Sequence, residues 1–468
     1  MRCQQPIQAL RQVHGISVAQ QPATLEASGL AAGRNRSDPP PAPTAVAVRA
    51  PTHPNTKIRQ AKRLLSTLTL LGTMALTGCR SPERLPLELY LAIGTNPEQS
   101  ISAELRDEFR ERVRPLQQSF RRLHTDTQFQ LSLYPEAGIA ETLRQSNATG
   151  LAPDLINVNG DTALRLLNAG LVDPFPLSSE QRRLFNPNDL SRLELPDGRL
   201  AGLPLLIFPQ LSCYNRERMA TPPATVKELL QASAAGQPIG LNADMAYLLW
   251  SVGSLGALPA LERMVHRQPP TPADRQAIQG WLAWLQEAGT QQRVSFYPDQ
   301  KTAETELAEG LVTWIPCRST ALPSLRKRMG RALAVAPLPN GDSHQASPVN
   351  RLRVVALGRH SSARGRLRAL EFAQYMVSPL AQRSLTLGAQ NMLPANRFVS
   401  VPVQSSQTLA TMVEAVRQGQ VANPLVTLVH TNDPRLSELQ TLITELAFGT
   451  ISAPEATPRV IRILQGAS

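Results

Sequence analysis

Asp197-Gly-Arg-Leu-Ala-Gly-Leu-Pro204 runs directly into Leu205-Leu-Ile-Phe-Pro-Gln-Leu-Ser-Cys-Tyr214. Gly198, Gly202 and Pro204 mark the first segment as a turn. The second carries no charge and is longer than an ordinary strand of about five or six residues. It is therefore read as a run that crosses from one domain to another.

Outward from this crossing, short β-like runs alternate with amphipathic helical stretches, the pattern of an α/β chain. Upstream, Leu87 to Ile93 reads as a strand. Ser100 to Leu123 reads as a helix, with Leu105, Phe109, Val113, Leu116 and Phe120 three or four residues apart. Pro115 falls inside it and is expected to kink or split it. Gln128 to Tyr134 and Asp154 to Val158 read as strands, and Asp161 to Leu167 as a helix ending near Gly170. Downstream, Thr225-Val-Lys-Glu228 fits a capping box. Ile239 to Leu241 is expected as a strand, Asp244 to Val252 as a helix, and Leu311 to Ile315 as a buried strand. Two C-terminal helices, Gln407 to Arg417 and Arg435 to Ala447, end the pattern.

At 468 residues, 42% hydrophobic and 18% charged, the chain has room for two or three globular domains. Its four cysteines, at positions 3, 79, 213 and 317, contain no CxxC pair, which excludes a disulfide scaffold and the usual structural zinc. The net charge of +12 is unevenly placed. Residues 1–79 hold nine basic and two acidic side chains, the rest 39 and 34. The remainder is an ordinary mixed surface, so nucleic acid is not expected as a partner.

Residues 1–56 contain eight prolines and no sustained apolar periodicity, so they are expected to be a disordered extension or the product of a start called too far upstream. Five lysines against 43 arginines suggest a GC-rich genome, where spurious upstream frames are common. Residues 57–78 read as a signal peptide: Lys57, Arg59, Lys62 and Arg63, then an uncharged stretch from Leu64 to Gly78. Leu76-Thr77-Gly78-Cys79 resembles the lipobox of bacterial lipoproteins. That resemblance implies lipid attachment at Cys79, a membrane anchor, and a location on the periplasmic or envelope side of a bacterial membrane.

Several motifs of the mature chain resemble the extracellular solute-binding proteins of ABC importers, in the sugar-type family that includes maltose-binding protein. They are Pro153-Asp-Leu-Ile-Asn157 with Leu167-Asn-Ala-Gly-Leu-Val-Asp-Pro174, Asp197 to Pro204 with Tyr214-Asn-Arg216, Pro223-Ala-Thr-Val-Lys-Glu-Leu229, and Phe372-Ala-Gln-Tyr-Met-Val-Ser378. Val226 departs from the pattern, standing where the family usually has an aromatic. The resemblance implies a two-lobed periplasmic-binding-protein fold of the α/β class, with a hinge and an interlobe ligand cleft. Lobe one is expected over 84–206 plus 350–389, and lobe two over 207–336 plus 392–468. One hinge is placed at Leu205 to Gln210. The implied partners are a small solute, a sugar or oligosaccharide by family default, and ABC permease subunits. A monomer without cofactor or metal is expected.

Ligand groups should stand at strand ends facing the crevice. Thr95 and Asn96 follow the first strand, and Asn159 and Asp161 follow the third. In the resemblance both loops enter the cleft, with Asp161 at a carboxylate position that bonds sugar hydroxyls. The alternative for Asn159 and Asp161 is a helix N-cap. Phe208 and Gln210 lie on the crossing, as ligand contacts or as hinge packing. Asp244 and Tyr247 open a helix whose Trp250 reads as core. Arg318 stands after a strand where sugar binders often have an aromatic, so it suits a carboxylate or phosphate, or else solvent. His430 matches another frequent contact position, or is structural. Cys213 and Cys317 are candidates for a disulfide in an exported protein.

HExxH, GxxxxGK[ST] and GxSxG are all missing from the sequence, so no catalytic constellation supports an enzyme. The competing readings are an envelope lipoprotein with a sensor role and a secreted glycan-acting enzyme, which would need paired carboxylates.

Overall fold

A computed structural model describes residues 86–95, 101–387, 389–419 and 433–466. Among these residues twelve strands form two sheets. In chain order they are β1 (Leu87–Thr95), β2 (Thr127–Pro135), β3 (Leu155–Asn159), β4 (Val172–Asp173), β5 (Leu203–Phe208), β6 (Gln210–Asn215), β7 (Ile239–Asn242), β8 (Val294–Tyr297), β9 (Trp314–Arg318), β10 (Leu333–Ala336), β11 (Arg351–Gly358) and β12 (Leu393–Pro394). The first sheet has the order β12-β5-β11-β3-β1-β2, with β4 also pairing β11; the second has the order β10-β6-β9-β7-β8. In the first, β1, β2 and β3 are parallel, and β11 inserts antiparallel beside β3.

The crossing read from the sequence divides at Pro209. β5 belongs to the first sheet and β6 to the second, with that one residue between them. Proline has no N–H to donate to a ladder, so pairing stops there and the chain changes sheet. Residues 337–350 return the chain to the first sheet.

The helices used below are α1 (Ala103–Leu123), α2 (Gly160–Asn168), α3 (Met245–Ser254), α4 (Pro272–Thr290), α5 (Leu322–Met329), α6 (Ala363–Met376), α7 (Pro379–Leu387), α8 (Gln407–Gln418), α9 (Pro434–Ala447) and α10 (Ala453–Gln465). Helix α1 runs through Pro115 without splitting. The capping expectation at Thr225 is realised in part. Its hydroxyl accepts from the Glu228 N–H at 3.1 Å, but the Glu228 carboxylate accepts from Ala224, not from Thr225 itself.

Three expectations need correction. The strand expected over Leu311 to Ile315 begins at Trp314. The preceding helix ends at Gly310 in the left-handed region (φ 77°), and the chain needs Leu311 to Thr313, with Leu311 exposed, to turn back. Met392 to Asn396, expected in lobe two, supplies β12, which pairs with β5 on the edge of the first sheet. Helix α10 was not anticipated, because Pro454 and Pro458 mask its period. Pro454 lies in the first turn, where its missing N–H costs nothing.

Two cores form. One covers the first sheet and continues along one side of the second through Leu211, Ile315, Leu322 and Met412. The other packs α3, α4, α9 and α10 around Trp250, Trp281 and Trp314. Cys213 on β6 and Cys317 on β9 are joined by a disulfide, with Cα atoms 5.7 Å apart and both residues fully buried.

Candidate functional site

Alternate residues of a strand share one face. On β3 these are Leu155, Asn157 and Asn159; on β1 they are Leu91, Ile93 and Thr95. On the antiparallel β11, Val355, Arg353 and Arg351 run alongside, with Val355 opposite Asn157 and Arg353 opposite Asn159. All nine line a cavity of about 430 Å³. Its far walls are α1, through Phe109 and Val113, and α5 with the turn before it, through Thr320, Ser324 and Lys327. The cavity thus lies between the face of the first sheet and an element attached to the second.

The polar end of this face is held by one buried ion pair. Arg353 Nη1 lies 2.7 Å from Glu136 Oε2, and Arg353 Nε donates to Asn157 Oδ1 at 2.7 Å. Its remaining N–H groups reach Asn159 Oδ1 at 3.3 Å, Asn157 O at 3.0 Å and the Gly94 carbonyl. Glu136 Oε1 accepts from the Asn159 N–H at 2.8 Å. A buried pair persists only when both groups are also hydrogen-bonded, as they are here, and the network ties the ends of β1, β2, β3 and β11 together. At Gly94 a side chain would press on the Glu136 carboxylate at 3.1 Å, so glycine keeps room for it.

A second group of charges surrounds Arg351. Burial first, then the like charge of Arg318, holds the Arg351 guanidinium below its ordinary pKa, while Tyr247, Asp161 and Glu136 oppose the shift. Arg192 is likewise lowered, chiefly by burial, with Asp189 and Asp161 opposing and Arg318 reinforcing. Asp161, on the helix after β3, and Arg318, at the end of β9, therefore act on the same two guanidinium groups from different sheets.

The residues expected at the site divide into three groups. Thr95, Asn159 and Phe208 line the cavity. Thr95 is nearly buried and donates to Tyr134 O at 3.3 Å. Asn159 is the N-cap residue of α2 by position, but its side chain accepts from Arg353 and does not cap the helix. Asp161 sits in the first turn of α2, bonded at 3.1 Å to Arg165, so it is not the cap.

Gln210, Asp244, Tyr247 and Arg318 are built into the frame. Gln210 is fully buried, donates to Tyr247 O at 3.0 Å and accepts from the Val349 N–H at 2.9 Å, so its amide clasps the two crossings. Asp244 caps α3, accepting from the Ala246 N–H at 2.8 Å. Arg318 is 2% exposed, which rules out the solvent alternative. It donates to Val349 O at 2.9 Å and Ala246 O at 3.5 Å, its guanidinium carbon lies 4.5 Å over the Tyr247 ring, and its Nε is buried without a hydrogen-bond partner. Trp250 is core, as expected. Asn96, His430 and Cys79 lie outside the described residues.

Glu136, Asn157, Arg192, Arg351 and Arg353 were not anticipated. The signal for the last two was present: Arg351-Leu-Arg-Val-Val-Ala-Leu357 puts two cations on one face of an otherwise apolar strand. Cations placed inside a sheet need partners or a function.

A family model for bacterial extracellular solute-binding proteins matches residues 116–416, most of the chain. The chain belongs to that family. Family membership places it on the outer side of the membrane, among proteins that bind small molecules and work with ABC permeases, and no helix among the described residues is long and apolar enough to cross a membrane. No curated protein matches in sequence. Among solved structures, the chain is similar to a cyclo/maltodextrin-binding protein complexed with maltotetraose, at 17% identity and a TM-score of 0.64, covering 82% of this chain and 98% of that one. It is also similar to the GacH receptor of Streptomyces glaucescens, described unliganded and with acarbose, at 16% identity and a TM-score of 0.63, covering 81% and 99%. A third similar structure is the maltose-maltodextrin binding protein of Alicyclobacillus acidocaldarius, at 17% identity and a TM-score of 0.59, covering 81% and 100%. At such identities these likenesses establish the fold, which is the two-lobed periplasmic-binding-protein fold.

Proposed function

We propose that this protein captures a small solute between its lobes and delivers it to an ABC permease, without converting it. The observation that supports this best is the cavity at the ends of β1, β3 and β11, in a chain of the solute-binding family. Lobe one is assigned the first sheet and lobe two the second, with closure about the crossing at Phe208 to Gln210. A sugar or oligosaccharide is the solute class, and the maltotetraose and acarbose named for two similar structures favour it. Lipidated Cys79 anchors the protein outside the membrane, where it works as a monomer.

A thermal-shift screen over sugars, amino acids, polyamines and anions tests the binding. A solute at a hundred times its Kd stabilises the folded state by about 2.7 kcal/mol, which moves the melting temperature by several degrees. A chain that no solute stabilises would contradict the reading. Cys79→Ala should release the protein from membranes or leave it unprocessed; normal processing and retention of that variant would remove the anchor.

A further inference from the structure

The cavity is graded along the strands. At one end β1, β3 and β11 present Leu91, Leu155 and Val355; at the other they present Thr95, Asn159 and Arg351. Helix α1 does not close the cavity over the strand ends. Leu116 and Phe120 in the second half of that helix are buried, but Leu105, Phe109 and Val113, on the same stripe, are half-buried and border the cavity. Apolar side chains at core spacing that meet a cavity, not one another, leave room for an apolar group.

The polar end is cationic. The lining carries four basic side chains, Arg112, Lys327, Arg351 and Arg353, and one acidic, Glu108. Glu108 pairs with Arg112, and behind the lining Glu136 pairs with Arg353 and Asp161 with Arg165, so the lining keeps more cations than acids. Arg318 brings a buried charge that meets two carbonyls and an aromatic face and forms no ion pair with a carboxylate among the described residues. A buried cation left without a counter-charge is costly, and an anion brought between the lobes offsets that cost.

From this we infer that the solute is an amphipathic acid, with a carboxylate- or phosphate-bearing head at Arg351 and Lys327 and an acyl or aryl group lying between α1 and the first sheet. The inference rests on the solute-binding reading and departs from its neutral-sugar default by giving the solute an acidic and an apolar group.

Four compounds separate head from tail: phenyl β-glucuronide, glucuronate, phenyl β-glucoside and glucose, with maltotriose as the neutral oligosaccharide. In calorimetric titrations of the full chain, phenyl β-glucuronide should bind at least tenfold tighter than glucuronate or phenyl β-glucoside. Val113→Trp, which fills the space between α1 and the first sheet, should cost the phenyl compounds about tenfold and leave glucuronate unchanged. Arg351→Gln should abolish the preference for glucuronide over glucoside. Thermal melts of the free variants show whether each is folded. Maltotriose or glucose binding as tightly as the glucuronide would overturn the inference and leave the solute-binding reading standing. Silence towards all five also overturns it, and only a silent wider screen removes the solute-binding reading as well.

Discussion

The two sheets are covered in opposite ways. Around the second, Trp250, Trp281 and Trp314 are fully buried, with ring centroids of Trp250 6.1 Å from Trp284 and 6.2 Å from Trp314 in edge-to-face contacts. Trp281 donates to Ser251 at 3.0 Å, so even its polar atom is satisfied. On the first sheet, the half of α1 nearest the strand ends stands off from the face it should cover. One region is filled by the protein itself and the other leaves space to be filled. In the function proposed above, the closed core gives one lobe a rigid body, while the incomplete core of the other holds the binding surface.

The largest effect should come from breaking the closed core. Trp281→Ala is expected to destabilise the protein by about 3–5 kcal/mol in denaturant titration, since it leaves a large cavity. Phe109→Ala, an aromatic of the open region, should cost under about 1 kcal/mol, because its ring is half-buried at a cavity wall. Equal losses would erase the contrast.

Glu136→Gln tests whether the open region is nevertheless rigid at its polar end. Removing one partner of a buried pair costs about 3–5 kcal/mol, and the uncompensated charge on Arg353 would be the cause. A loss under about 1 kcal/mol would mean the pair is solvated.

How far this contrast was legible in the sequence depends on which residues carried periodic signals. The crossing at Leu205 to Tyr214 was legible, because an uncharged run of that length interrupted by Pro209 has few other readings. The apolar stripe of α1 was legible too, but its spacing does not say whether Phe109 meets a side chain or a cavity. Arg353 was missed because its partners Glu136, Asn157 and Gly94 come from three other strands or their ends, and no local pattern joins them. Gln210 takes the hinge-packing reading, one of its two, whereas Arg318 is buried where exposure was the alternative: both bond the main chain of the crossing near Val349. Arg318→Ala should therefore weaken the fold as well as binding.

Asp161 sharpens the comparison on the binding side. Bonded to Arg165 on its own helix and not a cap, it also offsets the buried charges of Arg192 and Arg351. Asp161→Ala should lower stability by about 1 kcal/mol or more and change solute affinity by about tenfold, read by calorimetry beside a denaturation curve. Unchanged affinity would place the cleft elsewhere.

The smallest effect lies where α6 meets the start of β2. Arg364 and Arg368 of α6 hold the Asp126 carboxyl at about 2, well below its ordinary 3.8. A depressed folded-state value means this contribution is complete above about pH 4 and is lost as pH falls towards 2. The carboxylate is partly exposed, so solvent screening keeps the contribution under about 1 kcal/mol. Asp126→Asn should flatten the acid limb of the stability curve by that amount, and an unchanged limb would exclude this clasp.

Small-angle scattering tests the central claim most directly, with the chain measured alone and then saturated with phenyl β-glucuronide or maltotriose, whichever calorimetry shows to bind. A solute gripped between the two sheets shifts the chain towards a closed arrangement, so the radius of gyration should fall on saturation and recover when the solute is dialysed away. Identical curves at full saturation would contradict a hinged cleft between a filled lobe and an open one.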